Sequence, residues 1–150
     1  MDMHMKKGFI WGLAATLAMT VVMLLGMISR LSPMPAPIPV ALAKLAFGAL
    51  PKPALMGLGM FAHFLYGGVA GSVFSLIFKN RVAILKGLGW GILLWAGMQL
   101  VFLPLLGWGV FGSAISPKIA VATLVLHLIY GSTLSWGLGR QYKGTSSYAS

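Results

Sequence analysis

Pro53-Ala54-Leu55-Met56-Gly57-Leu58-Gly59-Met60-Phe61-Ala62-His63-Phe64-Leu65-Tyr66-Gly67-Gly68-Val69-Ala70-Gly71-Ser72-Val73-Phe74-Ser75-Leu76-Ile77-Phe78 is a run of 26 residues with no Lys, Arg, Asp or Glu and one imidazole, His63. As a helix it rises about 39 Å at 1.5 Å per residue, enough to cross the ~30 Å hydrocarbon core of a bilayer. A soluble helix of that length carries a charged face, and this one has none. It therefore reads as a transmembrane span. On either side lie three further apolar runs, at residues 8–29, 85–106 and 119–139, the second of them with one cation, Lys86, near its start. The fold class expected is an all-α membrane protein, a single domain over residues 1–150 with four transmembrane helices.

The first run follows Lys6 and Lys7, as a secretory signal would. Signal h-regions are only about 7 to 15 residues long and end in a small-residue cleavage site. Here the apolar stretch is longer and closes on Ser29-Arg30-Leu31-Ser32-Pro33, so an uncleaved first span is expected.

Composition agrees with this class and removes several chemistries. Apolar residues make up 59% of the 150 and charged residues 8%, with eleven Lys plus Arg against one acid, Asp2. Soluble domains devote about a quarter of their residues to charge. Paired-carboxylate hydrolysis and carboxylate-bound Mg²⁺ or Ca²⁺ need more acids than Asp2 supplies. The absence of cysteine removes zinc-thiolate sites, Cys-ligated iron-sulfur clusters, disulfides and thiol nucleophiles. No serine stands at a helical spacing from a base and an acid that would make it a nucleophile, so no enzymatic activity is expected. Met3-His4-Met5 offers soft ligands of the kind that hold Cu(I), but in an N-terminal tail expected to be mobile.

The connections set the orientation. Lys79-Asn80-Arg81 is a short basic turn that makes the second and third spans antiparallel neighbours. The first connection, 31–52, carries Pro33, Pro35, Pro37 and Pro39, which favour an extended stretch. A short interfacial or re-entrant helix is expected after them, from Val40 to Gly48. Trp108 and Phe111 in the third connection suit a membrane–water interface. Residues 141–150 read as a flexible polar tail. Lys6, Lys7, Lys79, Arg81, Lys86, Arg140 and Lys143 fall on the side of both termini, and Arg30, Lys44, Lys52 and Lys118 on the other. Seven against four places the termini in the cytoplasm by the positive-inside rule, in a prokaryotic cytoplasmic membrane. Split in this way, the +10 charge forms no continuous basic stripe. Nucleic acid is not an expected partner, whereas anionic lipid headgroups are.

The chain also repeats itself. An offset of 79 sets Gly8 on Gly87, Trp11 on Trp90, Gly12 on Gly91 and Met19 on Met98. An offset of 64 sets His63 on His127, Tyr66 on Tyr130, Gly67 on Gly131 and Gly71 on Ser135. The expected unit is a helical hairpin used twice. Each copy crosses the membrane an even number of times, so the two share one orientation about an axis along the membrane normal. Gly8-x-x-x-Gly12, Gly67-x-x-x-Gly71, Gly87-x-x-x-Gly91 and Gly131-x-x-x-Ser135 are small-residue faces suited to close helix packing.

His63 and His127 fall roughly 18–22 Å from the cytoplasmic ends of their helices, near midplane, and Thr20 and Gln99 reach about the same depth. A polar midplane layer of Thr20, His63, Gln99 and His127 follows, with Tyr66 and Tyr130 one turn from the histidines. Three readings stand. In the first, the histidines bond to neighbouring side chains or carbonyls and fix helix register, in a structural or accessory protein, either a homo-oligomer or a subunit of a larger membrane assembly. In the second, His63 and His127 ligate a b-type haem for electron transfer, with Gly67 and Gly131 clearing space for the porphyrin. In the third, the layer lines a permeation or ligand pathway for a small solute or ion.

Trp11-Gly12-Leu13-Ala14-Ala15-Thr16 with Met19-Thr20, the proline-bearing loop, His63-x-x-Tyr66-Gly67, the segment 107–112 and His127-Leu128-Ile129-Tyr130-Gly131 together resemble a family of small four-helix prokaryotic membrane proteins known only as a domain of unknown function. The resemblance runs from about Lys7 to Arg140. It implies four transmembrane helices and brings no catalytic residues.

Overall fold

A computed structural model describes residues 2–79 and 81–146, with side chains through Tyr142. Five helices account for most of it: α1 (Met3–Ile28), α2 (Ile38–Phe47), α3 (Lys52–Phe78), α4 (Ile84–Leu105) and α5 (Lys118–Ser146). There is no strand among the described residues. α1, α3, α4 and α5 are each long and apolar enough to cross a membrane, and the chain is an integral, multi-pass membrane protein.

Local chemistry explains where the helices start and stop. Asp2, the one acid, caps α1: its carboxylate accepts from the His4 backbone N–H at 3.3 Å, where a negative charge also meets the positive end of the helix dipole. α2 starts at Ile38, two residues earlier than the sequence places it. A proline in the first helical turn lacks only an N–H that would have no partner there, so Pro39 lies inside the helix rather than before it. α4 widens into a π turn over Met98–Phe102 before its last turn, Leu103–Leu105. Pro104 gives the reason, because its ring presses on the carbonyl four residues back and donates no hydrogen bond; the wider turn relieves both.

The expected flexible tail at 141–150 is helical through Ser146, and residues 147–150 lie outside the described residues, as does Asn80 of the basic turn. α5 continues because its end has partners. The Tyr142 hydroxyl lies 3.0 Å from His4 Nδ1 and 2.6 Å from Ser75 Oγ, and Trp11 Nε1 donates to Gln141 Oε1 at 3.0 Å. These contacts put the start of α1 and the end of α5 at the same end of the bundle. They also place His4 in the first turn of α1 rather than in a mobile copper-binding tail.

α1 packs closely on α3, α4 on α5, and α1 on α5, all antiparallel. Small residues make the first two pairs tight. A Cβ on Gly71 would lie 2.7 Å from Gly12 Cα, and one on Gly8 would lie 2.8 Å from Ser72 Cα. In the other pair, a Cβ on Gly131 would lie 2.8 Å from Gly87 C, and one on Gly91 would lie 3.0 Å from His127 C. With lipid as solvent, this close backbone contact rather than hydrophobic burial holds helices together. α3 and α4, although joined by the short turn, are not among the closely packed pairs. Aromatic rings stand between them, with Phe74 and Trp90 centroids 5.9 Å apart and Tyr66 and Phe102 centroids 6.4 Å apart. The short connection makes them antiparallel without making their backbones meet.

Candidate functional site

The gap between α3 and α4 encloses a cavity of about 360 Å³. Met19 and Met23 of α1, Leu58 and Ala62 of α3, Leu94 and Met98 of α4 and Leu126 of α5 give it an apolar wall. Ile38, Leu42 and Phe47 of α2 close the end away from the termini. Gly59 lets α2 settle on α3, since a Cβ there would lie 2.6 Å from the Pro39 carbonyl oxygen. Phe47, Leu58 and Tyr66 line the cavity and are also 57%, 38% and 47% exposed, so its mouth opens sideways between helices, toward lipid.

The polar lining is Thr16, His63, Tyr66, Thr123, His127 and Tyr130. Helix periodicity puts His63 and Tyr66, and likewise His127 and Tyr130, on one face of their helices. The structure brings all four to this one space. Thr20 and Gln99, expected in the same layer, are buried but do not line the cavity. Gln99 Nε2 instead donates to Thr123 Oγ1 at 2.8 Å, from the π turn of α4. Thr20 Oγ1, Gln99 Oε1, Trp90 Nε1 and His63 Nε2 are buried without a hydrogen bond to any of the described residues.

Most polar groups at the wall are tied to backbone. Thr16 Oγ1 donates to Gly12 O at 2.8 Å, Thr123 Oγ1 to Ile119 O at 2.7 Å, and the Tyr130 hydroxyl to Gly67 O at 2.6 Å. His127 Nδ1 lies 2.8 Å from Thr123 O; a carbonyl only accepts, so this nitrogen carries the proton. Among the described residues, no Lys, Arg, Asp or Glu lines the cavity.

Thr123 does not stand out in the sequence, and Thr16 does so only within the Trp11–Thr16 stretch, not as a site residue. Thr123 carries a signal all the same, since it lies four residues before His127, where a helical side chain reaches the carbonyl of the preceding turn. Pro104, five residues after Gln99, marks the place where α4 departs from regular geometry. These polar residues thus form a partly satisfied hydrogen-bonded wall on α5 and a less satisfied one on α3.

The model of a family of unknown function, DUF6789, matches residues 3–148, nearly the whole chain. The chain belongs to the DUF6789 family. No curated protein and no solved structure matches it. The DUF6789 match spans all five helices and so takes in every wall of the cavity, but the family carries no activity to transfer.

Proposed function

We propose that the chain is a small accessory protein of a prokaryotic cytoplasmic membrane that holds a small, mainly apolar ligand in the cavity between α3 and α4. The observation that carries this reading is the cavity of about 360 Å³, apolar except for one polar group of side chains that includes His63, Tyr66 and His127. Small-molecule sites have this character, with apolar walls and a few placed hydrogen-bonding groups in a volume of about 300–1,000 Å³. The purely structural alternative needs the midplane histidines to be satisfied by neighbours. His127 is at Nδ1 alone, through Thr123 O, while His63 Nε2 has no partner among the described residues.

Cytoplasmic termini are supported by the seven-to-four division of cations, which also favours contact with anionic headgroups. Two hairpin repeats are supported by matching contacts: Gly8 and Gly12 meet α3 at Gly71 and Gly67, as Gly87 and Gly91 meet α5 at Ser135, Gly131 and His127. In this reading the repeat is broken where the cavity lies, because the α1–α5 contact has no equally close counterpart between α4 and α3. The lateral mouth favours a resident ligand over a transmembrane solute or ion path. A b-type haem is the other occupant that His63 and His127 suggest, since both line one space. A Soret band lost in His63→Ala identifies it.

The test uses the purified protein in lipid nanodiscs and aminoanthracene, an uncharged apolar fluorophore. The expected result is saturable, equimolar binding that Ala62→Phe removes by filling the cavity. Equal, unsaturable partitioning with both proteins contradicts the reading.

A further inference from the structure

From the hydrogen bonds on the cavity wall, we propose that the ligand is an uncharged lipid alcohol whose hydroxyl donates to His127 Nε2. The inference rests on the cavity being a ligand site and specifies what enters it. The protons on the wall can be counted. The hydroxyl protons of Thr16, Thr123 and Tyr130 all go to backbone carbonyls, at Gly12, Ile119 and Gly67. The His127 proton goes to Thr123 O through Nδ1. A hydroxyl that has donated its one proton offers only lone pairs, and a neutral imidazole protonated at Nδ1 offers only a lone pair at Nε2. Thr123 Oγ1 already accepts from Gln99 Nε2, so three of the six polar residues that line the wall, Thr16, Tyr130 and His127, are left with acceptor sites alone. A ligand that only accepts, such as an ether or a ketone, leaves them unmatched inside the membrane, where an unpaired polar group is expensive.

Charge narrows the class further. No carboxylate among the described residues lines the cavity to pair a cationic head, and the chain carries +10, so an ammonium amphiphile is disfavoured. No Lys or Arg among them lines it to pair an anionic head, so a fatty acid carboxylate is disfavoured too. A hydroxyl donates without charge. The two polar residues not yet counted complete the fit. Tyr66, half exposed at the mouth, stands beside the entry path for an alkyl-chain alcohol arriving from the bilayer, and His63 lines the same space.

The experiment is displacement of aminoanthracene from the wild-type protein in nanodiscs by a chain-matched series: n-decanol, decyl methyl ether, undecane, decanoate and decylammonium. n-Decanol is expected to displace the probe at about tenfold lower free concentration than the ether or the alkane, as one buried hydrogen bond predicts. That gap is expected to close to within about twofold in His127→Leu. Equal displacement by ether and alcohol overturns the donor requirement, while continued probe binding leaves the cavity reading intact. Decanoate or decylammonium matching n-decanol overturns the uncharged class. Failure of the probe to bind wild-type protein overturns the cavity reading itself. The ligand series on wild-type protein decides the matter even where His127→Leu does not fold.

Discussion

Gly12 occupies a place where a Cβ would lie 3.0 Å from Gly68 Cα, so any larger side chain there must push α1 away from α3. Gly12→Leu is expected to cost about 1–3 kcal/mol or to prevent assembly, as overpacking does. Gly57 supplies the control. A Cβ there meets nothing within 4 Å, and Gly57→Ala is expected to be neutral or to stabilise by up to about 1 kcal/mol through helix propensity. Thermal unfolding in one detergent measures both. At the wall of the cavity, Thr123→Val removes the oxygen to which Gln99 Nε2 donates and leaves the Gln99 amide, whose Oε1 already lacks a partner, wholly unpaired. The expected loss is about 1–3 kcal/mol, read in the same melt. The glycine positions are legible in the sequence because matched small residues in two hairpins have few uses besides close packing. Thr123 is legible only through its place four residues before His127, not as the partner of Gln99, because that contact comes from the π turn, and a turn of that kind leaves little trace in a hydrophobic pattern.

The four spans are legible as elements for a simple reason: about 20 consecutive apolar residues without charge match the thickness of a bilayer and suit no solvent but lipid. Their ends are less so. Ending α5 near Gly139 follows from Arg140 and the polar residues after it, yet the helix continues because Tyr142 reaches His4 and Ser75 on two other helices. Tertiary partners override local composition at such ends. Tyr142→Phe removes the hydroxyl that bridges them and is expected to cost about 1 kcal/mol, with faster amide exchange along the last turns of α5. The start of α2 shifts by two residues because four prolines argue for extended chain until one of them falls in a first helical turn. In α4, Pro104→Ala restores the missing N–H and is expected to let the π turn at Met98–Phe102 relax toward regular helix. That change turns Gln99 away from Thr123 and moves Met98 within the cavity, so weaker aminoanthracene binding by the variant is the readout.

Across the whole molecule, one asymmetry dominates. Two glycine-packed helix pairs meet along α1 and α5, and the other side, between α3 and α4, opens into a cavity under α2. The sequence puts both histidines at one depth but gives no sign that α3 and α4, joined by a short turn, part to open a cavity beside them. The absence of cysteine makes orientation simple to test with single introduced thiols. In intact cells a membrane-impermeant maleimide is expected to label cysteines placed at Lys44 and Lys118 and to spare those at Lys6 and Arg140; the reverse pattern contradicts cytoplasmic termini. The central claim is that the cavity is a ligand site. Organic extraction and mass spectrometry of the protein purified from its membrane, alongside Ala62→Phe, address it most directly. The expected result is an equimolar, uncharged small amphiphile bound to the wild-type protein and missing from Ala62→Phe. The same bulk phospholipids from both, with no enriched neutral species, would contradict it.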